Sequence, residues 1–339
     1  MDSIHLVYSG DEKYLKFLEM PIGSAYLWAA DPNRLIVDVI TIDVPDEAWT
    51  KWRENLLRYL PHGARVERLI ADVSRFSGLR EWHGSLGAYG RLLLPELLSD
   101  EDWCIYADGD TVFTDDPLKL IDECTDSEVS IRGHLEKWLR KKDADQRAWY
   151  AERGLERDES IYFNSGFVLI NLDWFRRNDA GEKTIGFLRK YPDAPLPDQD
   201  ALNVICYKTS KALPYAWGTF GCEAFAYGRP SAIHYPGHLP QKCLEGMFPD
   251  FLDAFNIWFR YARIIFGRGW REMVVTKPNT IRYFQMRALG VAFSCMRKVM
   301  TPLHLLWIPK IGRYLRRHYA SAGVWRELLQ VPERRKTWN

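Results

Sequence analysis

Several patterns that identify common classes of protein are missing from this 339-residue chain. Its six cysteines contain no CxxC pair, and the chain is far longer than the small secreted domains that depend on disulfides, so we expect a reducing compartment. The start, MDSIHLVYSGDEKYL, carries early acids and no apolar run of signal-peptide length. The longest nearly apolar runs near the other end, ALGVAFSCM and TPLHLLWIP, are about half of the roughly 20 residues that span a bilayer. These absences predict a cytoplasmic protein without a membrane span.

Familiar nucleotide and calcium motifs are also missing. There is no P-loop of the form GxxxxGKS or GxxxxGKT, and the glycine cluster GSLGAYG (residues 84–90) neither fits GxGxxG nor follows a predicted strand. A calcium EF-hand counted from Asp108 would need Gly at its sixth position and Glu at its twelfth, where this chain has Phe113 and Lys119. The sequence therefore excludes these three kinds of site.

The composition indicates a folded globular protein, with 47% hydrophobic and 27% charged residues. The net charge of +1 hides an asymmetry, because residues 251–339 hold 17 Lys and Arg against four Asp and Glu, a net of +13, which leaves −12 for residues 1–250. Such a split predicts an acidic body with a basic tail for phosphate, nucleic acid or membrane. The tail mixes Trp, Phe and Leu with Arg at roughly helical spacing, as interfacial helices do.

The order of apolar segments predicts an α/β fold. IHLVYS (residues 4–9), RLIVDVITIDV (34–44) and RVERLIA (65–71) read as strands, and the stretches between them have apolar residues at helical spacing. Such alternation favours a parallel sheet that is covered by helices. Residues 1–115 therefore resemble a nucleotide-binding unit, and no linker separates them from residues 116–250, so we expect both parts to share one sheet.

The stretch CIYADGDTVF (residues 104–113) ends a predicted buried strand in two carboxylates. Asp108 and Asp110 lie two residues apart and would point to one face of a continuing strand. Carboxylate oxygens in that arrangement suit Mg²⁺ or Mn²⁺, and Gly109 allows a ligand to approach the backbone. Open α/β sheets bind their ligands at this end of the strands. The alternative is a solvated acidic turn.

Three further stretches hold candidate site residues, each with a structural alternative. LPDQDAL (residues 196–202) places polar side chains at the start of a predicted helix, where Asp also serves as an N-cap. Asn164 and Ser165 interrupt an apolar strand, which also fits a β-bulge. His234 could complete an Asp/Asp/His metal site, in which imidazole favours Mn²⁺ over Mg²⁺, or it could be a structural histidine.

Taken in order, these motifs resemble those of glycosyltransferase family 8, the retaining enzymes that include glycogenin and bacterial lipopolysaccharide galactosyl- and glucosyltransferases. The resemblance covers about residues 4–243. The matching segments are LVYSGDEKY, AYGRLLL, the DxD of residues 108–110, the NxG strand of residues 163–166, the DQD of residues 198–200 and the HxxG of residues 234–237.

The resemblance implies a GT-A type, Rossmann-like fold with a C-terminal helical, basic and aromatic extension. It divides the chain into a catalytic domain at residues 1–250, with a nucleotide-binding part (1–115) and an acceptor and sugar part (116–250), and a tail at residues 251–339. It implies a Mn²⁺ or Mg²⁺ ion held by Asp108, Asp110 and His234, and a UDP-hexose donor. The implied catalytic residues are Gln199 and Asp198. The implied donor-binding residues are Ser9, Asp11, Tyr14, Arg91, Asp108, Asn164, Ser165, Gly237 and Lys242.

Two positions depart from the family pattern. Relatives usually carry a diphosphate-binding Lys six residues after the His, where this chain has Pro240, so Lys242 is the candidate for that role. On the uracil side, Lys13 stands where relatives often have Asn.

The expected function is retaining transfer of galactose or glucose to a glycan, such as lipopolysaccharide or another lipid-linked saccharide. A neutral amide such as that of Gln199 is a poor nucleophile. We therefore expect the acceptor to attack the sugar from the same face as the one from which the leaving group departs. The alternatives are a metal-dependent nucleotide-sugar hydrolase and a catalytically silent glycan- or membrane-binding protein. The acidic body argues against a nucleic-acid partner. The tail predicts peripheral binding at the anionic inner face of a bacterial cytoplasmic membrane. The alternative for the tail is a helical subdomain that packs on the core.

Overall fold

A computed structural model describes residues 3–82, 84–136, 141–156, 160–221, 228–236, 252–267 and 288. The strands are β1 (Ile4–Asp11), β2 (Leu35–Ile42), β3 (Arg65–Ile70), β4 (Trp103–Ala107), β5 (Thr111–Phe113), β6 (Ile131–Leu135), β7 (Phe163–Asn171), β8 (Lys211–Ala212), β9 (Thr219–Phe220) and β10 (Ala232–His234). The α-helices are α1 (Leu15–Trp28), α2 (Asp46–Leu57), α3 (Leu94–Leu97), α4 (Leu118–Cys124), α5 (Lys141–Glu152), α6 (Leu172–Arg177), α7 (Ala180–Lys190), α8 (Pro197–Ile205) and α9 (Leu252–Phe266).

Seven strands form the main sheet, in the order β3-β2-β1-β4-β7-β6-β8. Strands β1 to β4 are parallel within it, and β7 runs antiparallel to both of its neighbours, β4 and β6. Strands from both predicted parts of the chain belong to this sheet. The prediction of a largely parallel sheet covered by helices is confirmed.

Alternation along the strands divides the core between the two faces of the sheet. Leu6 and Tyr8 of β1 point to the face that packs against α1, α2, α4 and α9. Val7 of β1 and Tyr106 of β4 point to the other face, which the 3₁₀ helix Gly87–Leu93 covers together with α3, α6, α7 and α8. Because both faces are buried, β1, β2 and β4 read as nearly continuous apolar runs.

A small sheet of three strands, in the order β5-β10-β9, lies next to the carboxyl end of β4. The antiparallel pairing of β10 with β5 puts His234 opposite Thr111, and the Tyr235 N–H donates to the Asp110 carbonyl over 2.8 Å. This pairing brings together two segments that lie far apart in the sequence.

Helix α9, the first part of the predicted basic tail, packs on α1. The side chains of Trp258 and Tyr261 are fully buried, and the indole Nε1–H of Trp28 donates to the Tyr261 hydroxyl over 3.1 Å. The absence of a side chain at Gly23 lets Ile265 approach, because an added Cβ would lie 3.0 Å from its Cγ2 atom. For these aromatic side chains the alternative that the tail packs on the core is confirmed, and the interfacial role is not.

Residues 268–287 and 289–339 of the predicted tail lie outside the described residues. The division of the chain at residue 250 stays a prediction. Across the part of the chain that the structure describes, no helix combines the length and the apolar character that a membrane crossing requires.

Candidate active site

The acidic turn connects β4 to β5 and is held by backbone contacts. The Thr111 hydroxyl donates to the Asp108 carbonyl over 3.0 Å, and the Asp108 N–H donates to the Gly166 carbonyl of β7 over 2.7 Å. Gly109 lies against α1, where an added Cβ would be 2.7 Å from Cε1 of Tyr14 and 2.8 Å from Cδ2 of Leu18. Only glycine permits this close approach of the turn to the helix.

Asp108, Asp110 and His234 form a cluster in which one ligand atom from each lies within 4.8 Å of the others. His234 Nε2 is 3.1 Å from Asp110 Oδ1, and His234 is buried. Gly166 borders the space between them, since an added Cβ would lie 2.6 Å from Asp108 Oδ2 and 2.8 Å from His234 Nε2. Two carboxylates and an imidazole around a glycine backbone fit a divalent cation.

Burial and mutual charge shift the pKa values in this cluster. Burial raises the pKa of the Asp108 carboxyl, the Arg91 charge opposes that effect, and the Asp110 charge adds to it, with a net upward shift. Burial lowers the pKa of His234, but the charges of Asp110 and Asp108 outweigh it, so this pKa is also raised. The carboxylates thus favour positive charge at the cluster, which a proton or a cation can supply.

Arg91 connects the acidic turn to α8. Its buried guanidinium donates to Asp108 Oδ1 over 2.9 Å and lies 3.5 Å from Asp198 Oδ2. It also donates to the Ser165 carbonyl and lies over the Tyr106 ring, 4.1 Å from its centroid. One buried cation therefore neutralises two carboxylates that belong to different elements, as buried charges require.

The segment Asn164–Gly166 of β7 is hydrogen-bonded to the first turn of α8. The Ser165 hydroxyl donates to Asp198 Oδ2 over 2.9 Å, and the Ser165 N–H donates to Gln199 Oε1 over 3.1 Å. Asn164 Oδ1 accepts from the Gly166 N–H over 2.9 Å. The bulge considered for this segment is confirmed: Gly133 of β6 pairs with Val168 and the next residue, His134, pairs with Asn164, so the additional residues Ser165, Gly166 and Phe167 lie on β7.

The third residue of the DQD motif has a separate role. Asp200 is fully buried, and its Oδ2 accepts from the Leu196 N–H at the start of α8 over 2.8 Å. Its Oδ1 accepts from the hydroxyls of Tyr150 and Tyr162 over 2.9 Å each. The N-cap of α8 is Leu196, so the capping alternative considered for this motif is wrong: Asp200 binds the Leu196 N–H from within the first turn, whereas Asp198 faces Ser165 and Arg91.

Residues predicted for the uracil side lie at the carboxyl end of β1. Asp11 Oδ1 accepts from the Tyr14 N–H over 3.0 Å, and Tyr14 borders Gly109. Ser9 is buried against Gly90, where an added Cβ would lie 2.5 Å from the Ser9 Oγ atom. Predicted residues of the donor site and of the metal site are thus brought together. Gly237 and Lys242 lie outside the described residues.

Sequence reasoning missed two side chains that contact Gln199. Its Nε2 group donates to Glu136 Oε2 over 2.8 Å and to the Tyr162 hydroxyl over 3.0 Å. Tyr162 directly precedes the NxG strand, which is a weak signal. Glu136 follows β6 in a stretch without a recognisable motif.

Comparisons with known proteins identify the family of the chain and several relatives. A family model described as Glycosyl transferase family 8 matches residues 5–239. General stress protein A of Bacillus subtilis (strain 168) is 27% identical over 220 residues, which cover 63% of this chain and 73% of that protein. Lipopolysaccharide 1,3-galactosyltransferase of Salmonella typhimurium is 25% identical over 230 residues, 64% of each chain.

Solved structures share the fold. The galactosyltransferase LgtC, in complex with donor and acceptor sugar analogues, superposes with a TM-score of 0.63 at 20% identity. The superposition covers 80% of this chain and 100% of that chain. The predicted α/β fold of the GT-A type is confirmed.

Proposed function

The chain belongs to glycosyltransferase family 8, and from that membership we propose that it is a retaining hexosyltransferase with a UDP-galactose or UDP-glucose donor. The observation that carries the proposal is the cluster of Asp108, Asp110 and His234 around Gly166, next to the first turn of α8. The proposed acceptor is a glycan, with lipopolysaccharide or another lipid-linked saccharide favoured by the named activity of the Salmonella relative.

The three clustered side chains would hold Mn²⁺, or Mg²⁺ in its place, because imidazole favours Mn²⁺. A divalent cation bound there would offset the charge of the diphosphate of the leaving UDP. Gly166 keeps the backbone open on one side of the cluster, whereas the missing side chain of Gly109 makes room for Tyr14 and Leu18 of α1. In this proposal Asp11 and Tyr14 meet the uracil, while Asp198, Gln199 and Arg91 surround the sugar.

Retention of configuration is proposed to follow from front-face attack. The acceptor oxygen forms its bond to the anomeric carbon on the face from which UDP departs, and a phosphate oxygen of UDP takes the acceptor proton. A double displacement through Gln199 is disfavoured because its amide is neutral and its Oε1 atom already accepts from the Ser165 N–H. Mass spectrometry of the protein during turnover tests this step, and a hexose attached covalently to Gln199 would contradict it.

The decisive experiment for the function is a donor screen by calorimetry. The full chain with Mn²⁺ is titrated separately with UDP, UDP-glucose, UDP-galactose and their N-acetyl analogues. UDP and one of the two hexose donors are expected to bind. If neither UDP nor any UDP-sugar binds, the proposal fails. Product analysis with and without an acceptor then separates transfer from hydrolysis, because a nucleotide-sugar hydrolase releases the same free hexose in both reactions.

The basic tail is proposed to bring the enzyme to an anionic membrane surface that carries its acceptor. Residues 251–339 hold a net charge of +13, and each Lys or Arg near such a surface contributes about 1 kcal/mol. The proposed location is the inner face of a bacterial cytoplasmic membrane.

A further inference from the structure

Every polar atom of the Gln199 side-chain amide is engaged by the protein. Its Oε1 accepts from the Ser165 N–H, while its Nε2 group donates to Glu136 Oε2 over 2.8 Å and to the Tyr162 hydroxyl over 3.0 Å. Gln199 itself is only 6% exposed. Three bonds from three different parts of the chain therefore restrain one amide beside the metal cluster.

The chemistry of these partners allows only one orientation of the amide. A backbone N–H can only donate, so the carbonyl end of Gln199 must face Ser165. An ionised carboxylate can only accept, so the NH₂ end must face Glu136. If the two ends were exchanged, the NH₂ group would face the Ser165 N–H, which is also a donor, and the carbonyl oxygen would face the Glu136 carboxylate, which is also an acceptor. Both hydrogen bonds would be lost.

Tyr162 cannot replace Glu136 in this role, because its hydroxyl is shared. It donates to Asp200 Oδ1 over 2.9 Å and accepts from the Gln146 Nε2 group over 2.8 Å, in addition to Gln199. Hydrogen bonds to a charged acceptor are also stronger than those to a neutral one. The Glu136 carboxylate is therefore the dominant partner of the Gln199 NH₂ group.

The backbone gives Glu136 a fixed position. Its N–H donates to the Tyr162 carbonyl over 3.0 Å, which attaches the residue after β6 to the residue before β7. The shift of register between Gly133 and His134 lies two residues earlier. Such irregularities redirect the side chains that follow them.

We propose that Glu136 is a positioning residue that holds the Gln199 amide, with its carbonyl toward Ser165, against the sugar of the donor. The kinetic part of this inference rests on the proposed hexosyl transfer. In that reaction Glu136 acts through Gln199, so its removal slows the chemical step and leaves donor binding nearly intact.

A spectroscopic experiment tests the geometry without any turnover. The side-chain NH₂ signals of Gln199 in the ¹⁵N-labelled full chain are identified by their loss in Gln199→Ala. Glu136→Ala is expected to shift these signals and to speed their exchange with solvent, whereas Glu128→Ala, an exposed acid before β6, should leave them unchanged. Signals that stay at the wild-type position in a folded Glu136→Ala variant would overturn the proposal.

Kinetics test the role in transfer. Glu136→Ala is expected to lower kcat about 10- to 100-fold with the donor KM changed by less than about threefold, as a misplaced contact does. Glu136→Gln should recover much of kcat because its carbonyl can still accept from the Gln199 NH₂ group. The double variant Glu136→Ala/Gln199→Ala should be no slower than Gln199→Ala alone.

The opposite outcomes are equally specific. If the loss of kcat in the double variant equalled the product of the two single losses, Glu136 would act independently of Gln199. If Glu136→Ala changed only the donor KM, Glu136 would bind the donor directly. Either result overturns the proposal. If the wild-type chain shows no transfer at all, the proposed function fails, and the NH₂ signals alone decide whether Glu136 holds Gln199.

Discussion

Gly166 sets the size of the space between Asp108 and His234. It lies in β7, opposite the acidic turn, and an added Cβ would be 2.6 Å from Asp108 Oδ2 and 2.8 Å from His234 Nε2. We therefore predict that Gly166→Ala weakens Mn²⁺ binding at least tenfold, measured by calorimetry, because a methyl group would fill the place of the ion. Circular dichroism should show that the variant is folded.

Gly186 of α7 provides the matched control. No atom within 4 Å would meet a Cβ at this exposed position, so Gly186→Ala should leave Mn²⁺ binding unchanged. Ala is also the better helix former, which should stabilise the fold by about 0.5–1 kcal/mol. Wild-type Mn²⁺ affinity in Gly166→Ala would mean that the ion binds elsewhere.

His5 provides a pH-dependent contribution to stability at the opposite end of β1. Its Nδ1 atom is 2.6 Å from Asp38 Oδ2, and its Nε2 atom is 3.2 Å from Glu101 Oε1. Burial lowers the pKa of His5, and the positive charge of Arg65 lowers it further. The hydrogen bond to Asp38 and the negative charges of Asp38 and Glu101 outweigh these two effects, so the net pKa is raised. The protonated form is thus favoured in the folded state.

The sign of the effect follows from this raised pKa. The stabilisation is fully present below about pH 6.5, the ordinary value, and is lost as the pH rises through the folded-state pKa. We predict that the free energy of unfolding of the wild type, relative to His5→Gln/Asp38→Asn, falls over this interval by at most about 1.4 kcal/mol per pH unit. Urea denaturation at pH 5.5 to 9 measures it, and a constant difference would contradict the prediction.

Several residues of the candidate site could be predicted from residue type and position in the sequence. The pair Asp108 and Asp110 was identified by its place after a buried strand, and His234 by its order after the other motifs. Glu136 was missed because an acid after a strand is ordinary in sequence, and only the pairing of β6 with β7 shows that it reaches Gln199.

At the scale of elements, periodicity predicted the long strands and helices but not the short ones that assemble the cluster. Strands β5 and β10 have three residues each, too few to show a period. Their pairing joins Thr111 to His234, a long-range contact that no local pattern encodes. Asp108, Asp110 and His234 could therefore be predicted from the sequence as candidate metal ligands, whereas the strand pairing that brings them together is seen only in the structure.

Helix α9 gives the clearest element-scale test, because its sequence resembles an interfacial helix and its aromatic side chains are buried. Trp258 is fully buried and packs edge-on against Tyr235, with ring centroids 5.4 Å apart. We predict that Trp258→Ala lowers the free energy of unfolding by about 3–5 kcal/mol, as other large buried aromatic truncations do. Chemical denaturation measures the change.

The exposed Arg263 on the same helix is the control for this prediction. Arg263→Ala should change the free energy of unfolding by no more than about 0.5 kcal/mol, as expected for a surface position. Equal, small effects of both substitutions would mean that α9 is not part of the core.

At the scale of the whole molecule, the boundary in charge does not coincide with the boundary of the core. The basic segment begins at residue 251, whereas the core includes side chains of α9. The buried side chains of α9 between Ile257 and Phe266 belong to the core that packs against α1, so a truncation at residue 249 would expose that surface. A test of membrane binding should therefore keep the full chain and change charges within the tail. Arg313, Arg316 and Arg317 place three basic residues within five positions of the tail.

We predict that the full chain floats with vesicles of phosphatidylglycerol and phosphatidylcholine but not with phosphatidylcholine alone, and that added salt reduces the recovery. Arg313→Gln/Arg316→Gln/Arg317→Gln should weaken partitioning about a hundredfold, since three charges at about 1 kcal/mol each amount to roughly 3 kcal/mol. Lys51→Gln/Arg58→Gln/Lys183→Gln removes three exposed charges from the body and should leave it unchanged. Equal recovery of the wild type with both kinds of vesicle would contradict electrostatic attachment through the tail, because neutral lipid offers no charge for these arginines to meet.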